Sequence, residues 1–229
     1  MSRRCLTSVK TSETLSRVTV VPATARSARR SPVDRYDERR DQLAESALLT
    51  LGERGYANTS LRDIATNSPF SHGVLHYYFD DKLDLIDYCI RYYKARCVTR
   101  YDAIVSDSTS PQMLLEAFAE KLVETIVEEA PMHRLWYDIR TQSMFEERLR
   151  PAAIYIDQTL EDMVWRIVSK YAELSDLVPA MPPAAAYGVL DGLFQASLLG
   201  YSLGDEDALS TLVGQVHGLM PLTIGPATP

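Results

Sequence analysis

The chain has 229 residues, 46% hydrophobic and 24% charged, with a formal net charge of −7 at pH 7, which suits one domain or a small domain joined to a larger one. No apolar run approaches the roughly 20 residues that span a bilayer, and the N-terminus lacks a signal-peptide core, so a soluble cytoplasmic protein is expected. The acidic total hides an asymmetry: residues 1–34 carry seven basic against two acidic side chains, residues 35–100 ten of each, and residues 101–229 seven against nineteen, a balance that leaves a DNA-binding N-terminal end open.

Residues 1–34 are rich in Ser, Thr, Arg and Val without a sustained period, and read as a disordered basic arm. Arg26, Arg29 and Arg30 are the residues that could follow a DNA backbone or enter a minor groove. A first helix is predicted over Tyr36–Arg54, with Leu43, Ala47, Leu48 and Leu51 on one face and Gly55 as its left-handed stop. Ser60 then caps a short helix, with Asp63 three residues on to return a bond to the cap, and Leu61, Ile64 and Ala65 form its apolar face. Asn67-Ser68-Pro69 stops that helix, because proline lacks an amide donor and disfavours α geometry in the preceding residue.

Ser71 caps the next helix, which runs through His72, Gly73, Val74, Leu75, His76 and Tyr77. Two short helices and so tight a turn make a helix-turn-helix, whose second helix can enter a major groove. Here His72, Val74 and His76 or Tyr77 would face bases or phosphates, Gly73 would allow close backbone approach, and Leu75 and Phe79 would pack inward. Residues 71–79 contain no Arg, Asn or Gln for bidentate base contacts. Specificity would therefore rest on weaker contacts, on neighbours such as Arg62 and Asn67, or on DNA shape. His72 and His76 have metal-ligand spacing on a helix, but a third ligand is not evident nearby, and no metal is expected.

These residues resemble the tetracycline-repressor (TetR) family of bacterial transcription regulators. The pattern is carried by Ala44 and Ala47, Gly55-Tyr56, Thr59-Ser60, Ile64-Ala65, Ser71, Leu75-His76, Tyr78-Phe79 and Lys82. Pro69 stands where the family usually has a turn glycine, and His76 where it usually has tyrosine. The resemblance covers about residues 35 to 90. It implies that Thr59, Ser60 and Lys82 belong to the DNA-binding face, with Lys82 and the turn at Ser60 gripping the backbone on either side of the groove. It also implies that the helix after Asp81, predicted to reach about Val105, is a lever between head and body, and that the body encloses a small-molecule cavity. The segment Leu135–Arg150 is similar to the body of choline-responsive members.

Beyond the polar break Ser106–Pro111 the apolar positions keep a helical period, with segments ending at Pro131, running over Leu135–Leu149, and running over Ala152–Tyr171. Strand alternation with hairpin dipeptides is absent. Phe118, Trp136, Arg140, Met144, Tyr155, Met163 and Trp165 are the candidate ligand residues. Arg140, on an apolar face, would either pair with an acid such as Asp138 or await a ligand. Toward the C-terminus Ala184, Gly188, Gly192, Ala196 and Gly200 recur every four residues, as do Ser210, Gly214 and Gly218. Such ridges permit close helix approach. Gly188, Gly192, Phe194, Ala196, Gly200, Leu212, Val216 and Leu219 are therefore expected at a four-helix dimer interface. Cys5, Cys89 and Cys97 show no metal spacing, and the latter two are expected as buried thiols.

The sequence thus predicts an all-α protein: a basic arm (1–34), a three-helix bundle with the helix-turn-helix (35–81), a larger helical ligand-binding and dimerisation domain (82–221) and a tail (222–229). No nucleophile elbow, paired-histidine zinc motif or phosphate loop is present, so no enzyme and no cofactor are expected. The expected function is a homodimeric, nucleoid-associated regulator, a repressor released from a near-palindromic double-stranded operator by an unknown small-molecule effector. The alternative is control by a protein partner or by DNA bending.

Overall fold

The computed structural model describes residues 32–227; Cys5, Arg26, Arg29, Arg30 and the rest of the expected basic arm lie outside the described residues. Among the described residues the regular structure is helical apart from one two-residue strand pair. Helices α1 (Pro32–Arg54), α2 (Leu61–Thr66), α3 (His72–Tyr78) and α4 (Lys82–Cys97) form the head and its exit. A 3₁₀ turn, Val98–Tyr101, leads into α5 (Asp102–Asp107), followed by α6 (Pro111–Gln142), α7 (Arg150–Leu174), α8 (Pro183–Ser202) and α9 (Ala208–Leu219). Strands β1 (Val178–Pro179) and β2 (Ile224–Gly225) pair antiparallel and tie the chain's end back to the exit of α7. No described helix is long and apolar enough to cross a membrane.

The local rules of the head hold in detail. Gly55 has φ +80°, the left-handed geometry that ends α1. Ser60 and Asp63 form a reciprocal capping box, Ser60 N–H donating to the Asp63 carboxylate at 2.8 Å and Asp63 N–H to Ser60 Oγ at 3.2 Å. The Ser60 hydroxyl, donating to the Asp63 carboxylate at 2.5 Å, then the Ser60 N–H and Arg54 at 3.1 Å hold the Asp63 carboxyl below the usual carboxylate range. Ser71 caps α3 by accepting from Val74 N–H. In the turn carrying Pro69, Ser68 Oγ accepts from Phe70 N–H at 3.2 Å, and the Arg39 guanidinium covers the Phe70 ring at 4.5 Å. The proline therefore sits in a turn braced by the serine before it.

Three predicted boundaries change. The lever stops at Cys97 and resumes as α5, not as one helix to Val105. The end expected at Pro131 is a kink that joins two helical segments. Glu129 leaves helical geometry (φ −132°, ψ 24°) and α6 continues past the proline to Gln142. A proline removes one backbone donor and crowds the preceding turn, which a kink relieves without termination. Residues 143–149 form a loop and a short 3₁₀ turn rather than the end of a helix.

Two apolar cores share the molecule. One gathers the head and lever, from Leu43 to Ile90, and extends into the body through Leu135, Trp136, Ile139, Leu149, Ala152 and Ile156. The other is built from α6, α7, α8 and α9 around residues such as Phe118, Ile167, Leu190 and Leu212. Helix α6 contributes to both. The head is not packed separately from the body: a Cβ at Gly52 on α1 would lie 2.5 Å from Met132 Cε and 3.2 Å from Pro131 Cβ on α6.

Candidate DNA-binding face and ligand cavity

On the head, Ser60, Arg62, Ser71, His72, Gly73, His76 and Tyr77 are exposed, while Val74 is half-buried against the head core. Tyr77 is 73% exposed, an unusual position for a large aromatic side chain and one suited to a partner surface. His72 and His76 stack edge to face at 4.5 Å. Among the described residues no group of three His, Cys, Asp or Glu side chains could hold a metal ion.

Thr59 differs from expectation. It is buried, and its hydroxyl donates to the Gly55 carbonyl at 2.7 Å, so it closes the corner after α1 instead of facing outward. Lys82 is half-buried, its ammonium bonded to the Tyr56 carbonyl and lying 3.8 Å from the Tyr56 ring centroid. Burial lowers its pKa. Any phosphate contact by Lys82 would use its remaining donors.

In the body, a cavity partly continuous with solvent opens between α4, α6, α7 and α8. Of the seven predicted ligand residues, Phe118, Trp136, Arg140 and Met163 line it. Met144 does not: it is 71% exposed, in the loop left when α6 stops at Gln142. Tyr155 packs toward the head core under Arg91, and Trp165 packs on the outer side of the body core. Phe194, expected at a dimer interface, lines the cavity and meets His133 edge to face at 4.9 Å.

Arg140 has two acids, and Asp138 is neither. Its Nε lies 2.9 Å from Asp157 and its Nη1 2.8 Å from Asp191. The Tyr137 hydroxyl donates to Asp191 and the Tyr187 hydroxyl to Asp157, both at 2.9 Å, and burial beside these carboxylates pushes both phenols up. Asp138 faces the other way and accepts from Tyr56 N–H at 2.6 Å, joining α6 to the corner of the head. A second tie runs from Arg148 to Asp81, 2.6 Å, at the start of α4.

The sequence reading missed Lys94, His133, Tyr137, Tyr187 and Asp191 on the cavity wall. Lys94 had a signal: it falls on the stripe Ile86, Ile90, Lys94, Cys97, a position where an apolar residue belongs. It is 1% exposed, and its ammonium lies 5.5 Å from the Trp136 ring centroid. Burial pushes its pKa down to about 8. Burial, with Lys94 and Arg100 nearby, takes His133 down to about 3, so its imidazole is neutral.

Of the expected dimer residues, Leu212 and Val216 are fully buried in the subunit's own core. A Cβ at Gly200 would lie 3.0 Å from Ala208 Cβ, so that glycine serves the α8–α9 corner. Leu219 packs partly against the same core. Gly188, Gly192 and Ala196 face outward, and a Cβ at Gly188, Gly192, Gly214 or Gly218 would meet nothing within 4 Å. Each step of four residues overshoots a helical turn by about 40°, so three steps carry the ridge about 120° around α8. One ridge thus begins on an outer face and ends inside.

Residues 43–89 match the family described as "Bacterial regulatory proteins, tetR family". The "HTH-type transcriptional regulator BetI" of Burkholderia mallei is 30% identical over 176 residues, 75% of this chain and 88% of that protein. A TetR transcription regulator from Haloarcula marismortui has a similar fold, with a TM-score of 0.67 at 17% identity, covering 82% of this chain and all of that one. So does a transcriptional regulator from Saccharomonospora viridis solved in complex with choline, with a TM-score of 0.63 at 18% identity, covering 82% and 98%. With its capped helix-turn-helix and helical body, this chain belongs to the TetR family of transcriptional regulators.

Proposed function

We propose that the protein is a homodimeric repressor whose operator affinity falls when a small molecule occupies the body cavity. The observation that carries this reading is the double duty of α4 and α6. Helix α4 begins at Lys82 beside the DNA-binding head and ends with Lys94 and Cys97 on the cavity wall. Helix α6 turns His133, Trp136, Tyr137 and Arg140 toward the cavity and Asp138 toward the head. A ligand that favours one setting of these helices shifts the heads by its differential affinity for the two states. Couplings of about 1–3 kcal/mol would loosen the operator roughly five- to 150-fold. A fold relative solved with choline supports a small-molecule ligand, and the cavity beside Trp136 and Arg140 disfavours the alternatives of a protein partner or DNA bending.

The second copy would cover the outward ridge of α8 and α9, where Val189, Leu199 and Leu203 are exposed alongside the small residues. Two heads would then read half-sites about one helical turn, or a multiple of it, apart. Ser60, Arg62, Ser71, His72, Gly73, Val74, His76, Tyr77 and Lys82 are the proposed DNA contacts. Selection of genomic fragments by the purified protein tests the reading. Enrichment of a palindrome, lost in His72→Ala and Tyr77→Ala, supports it. Salt-dependent binding without a motif means that the head grips phosphate alone.

A further inference from the structure

Lys94 stands apart from the other charges around the cavity. Arg140 is matched by Asp157 and Asp191, and Arg100 by Glu129. Lys94 is more fully buried than any of these, and among the described residues it has neither a hydrogen bond nor an ion pair: it meets the face of Trp136, while Cys97, Asp157 and Asp191 favour its charge only from beyond bonding distance. With a pKa of about 8 it is still mainly protonated at pH 7. Two further polar atoms on the same wall, His133 Nε2 and Trp136 Nε1, are buried with no hydrogen-bond partner in the protein. Buried ammonium and N–H groups without partners are costly, and three such groups on side chains of one cavity wall point to a ligand that completes them.

An indole N–H donates only, an ammonium donates only, and a neutral imidazole can donate from Nε2. What satisfies all three is an oxygen-rich, negatively charged group. The rest of the wall is apolar, including Phe118, Leu122, Met163 and Phe194. We propose that the cavity takes an organic acid, with its carboxylate on Lys94 beside Trp136 Nε1 and His133 Nε2 and its apolar or aromatic body against Phe118, Met163 and Phe194. This rests on the cavity being the effector site. A quaternary ammonium ligand would find aromatic faces here, but the two aspartates that could balance its charge are engaged by Arg140, and Lys94 would repel it.

The test is calorimetric titration of the full-length protein with hexanoate, octanoate, phenylacetate and 4-phenylbutyrate. Each is paired with its primary amide and with a trimethylammonium compound of matching body, and wild type is compared with Lys94→Met and Lys94→Gln. The expected result is that at least one carboxylate binds about tenfold or more tightly than its amide, and that both variants lose this preference. Preference for the trimethylammonium compounds, equal binding of acid and amide, an unchanged preference in the variants, or no binding by any acid would each overturn the proposal. The wild-type comparison stands even if a variant fails to fold. Operator binding measured with the same compounds separates the two readings. Release by a cation or an amide alone keeps the ligand-responsive repressor and sinks the anion site. Lys94-dependent acid binding without release keeps the site and sinks the repressor mechanism.

Discussion

Two side chains show how far burial decides a residue's role. Thr59 belongs to a motif pair that suggests DNA contact, yet its hydroxyl closes a buried bond to Gly55. Thr59→Val keeps the shape and removes that bond, so thermal melting should show a loss of about 1 kcal/mol. Lys94 carries a pH signature. Its folded pKa lies near 8, below the usual lysine value of about 10.4, so between these values the unfolded chain binds more protons. Stability should therefore rise with pH from about 8 to 10, with the full penalty below 8. Cys97, Asp157 and Asp191 favour the charge, and Arg100 opposes it. The difference between wild type and Lys94→Met across denaturant titrations in this window isolates the effect. A flat difference would mean that Lys94 does not change its protonation on folding.

Elements have faces, and substitutions at one spacing separate them. Gly192 meets nothing in its own subunit, whereas Gly200 meets Ala208. Gly192→Glu should leave the subunit's melting temperature nearly unchanged and shift sedimentation from dimer to monomer. Gly200→Leu should instead overpack the α8–α9 corner and cost about 1–3 kcal/mol of subunit stability. The reverse pattern would remove the outer ridge as the dimer face. In α6 the kink at Glu129 is held by Arg100 and Tyr93, which keeps the second half of the helix turned to both head and cavity.

Across the whole molecule, function depends on how firmly the body holds the head. The Tyr56–Asp138 bond and the Arg148–Asp81 pair join them, along with the close approach of α1 to α6 at Gly52. Asp138→Ala leaves the Tyr56 N–H unpaired in a half-buried corner, at a cost of about 1 kcal/mol or more. It should also narrow the gap in operator affinity between ligand-free and ligand-saturated protein, as read by fluorescence anisotropy. The Arg148–Asp81 pair is largely exposed, so Arg148→Ala should change stability by less than about 1 kcal/mol.

The head was legible in the sequence because its determinants are local. Gly55, the Ser60–Asp63 box, the Ser71 cap and the Pro69 turn each act within a few residues and fix helices wherever the chain is packed. The all-helical body followed from periodicity for the same reason. What periodicity does not contain is which of several apolar faces looks at core, cavity or solvent. It suggested a cavity side for Met144 that the end of α6 withdrew, and a dimer side for Phe194, Leu212 and Val216 that the subunit's own interior took. Arg140 found its acids 17 and 51 residues away, on α7 and α8, instead of at neighbouring Asp138. Those partners, and the isolation of Lys94 among them, exist only once four helices converge, because burial and counter-charge are properties of the packed surroundings and not of the residue.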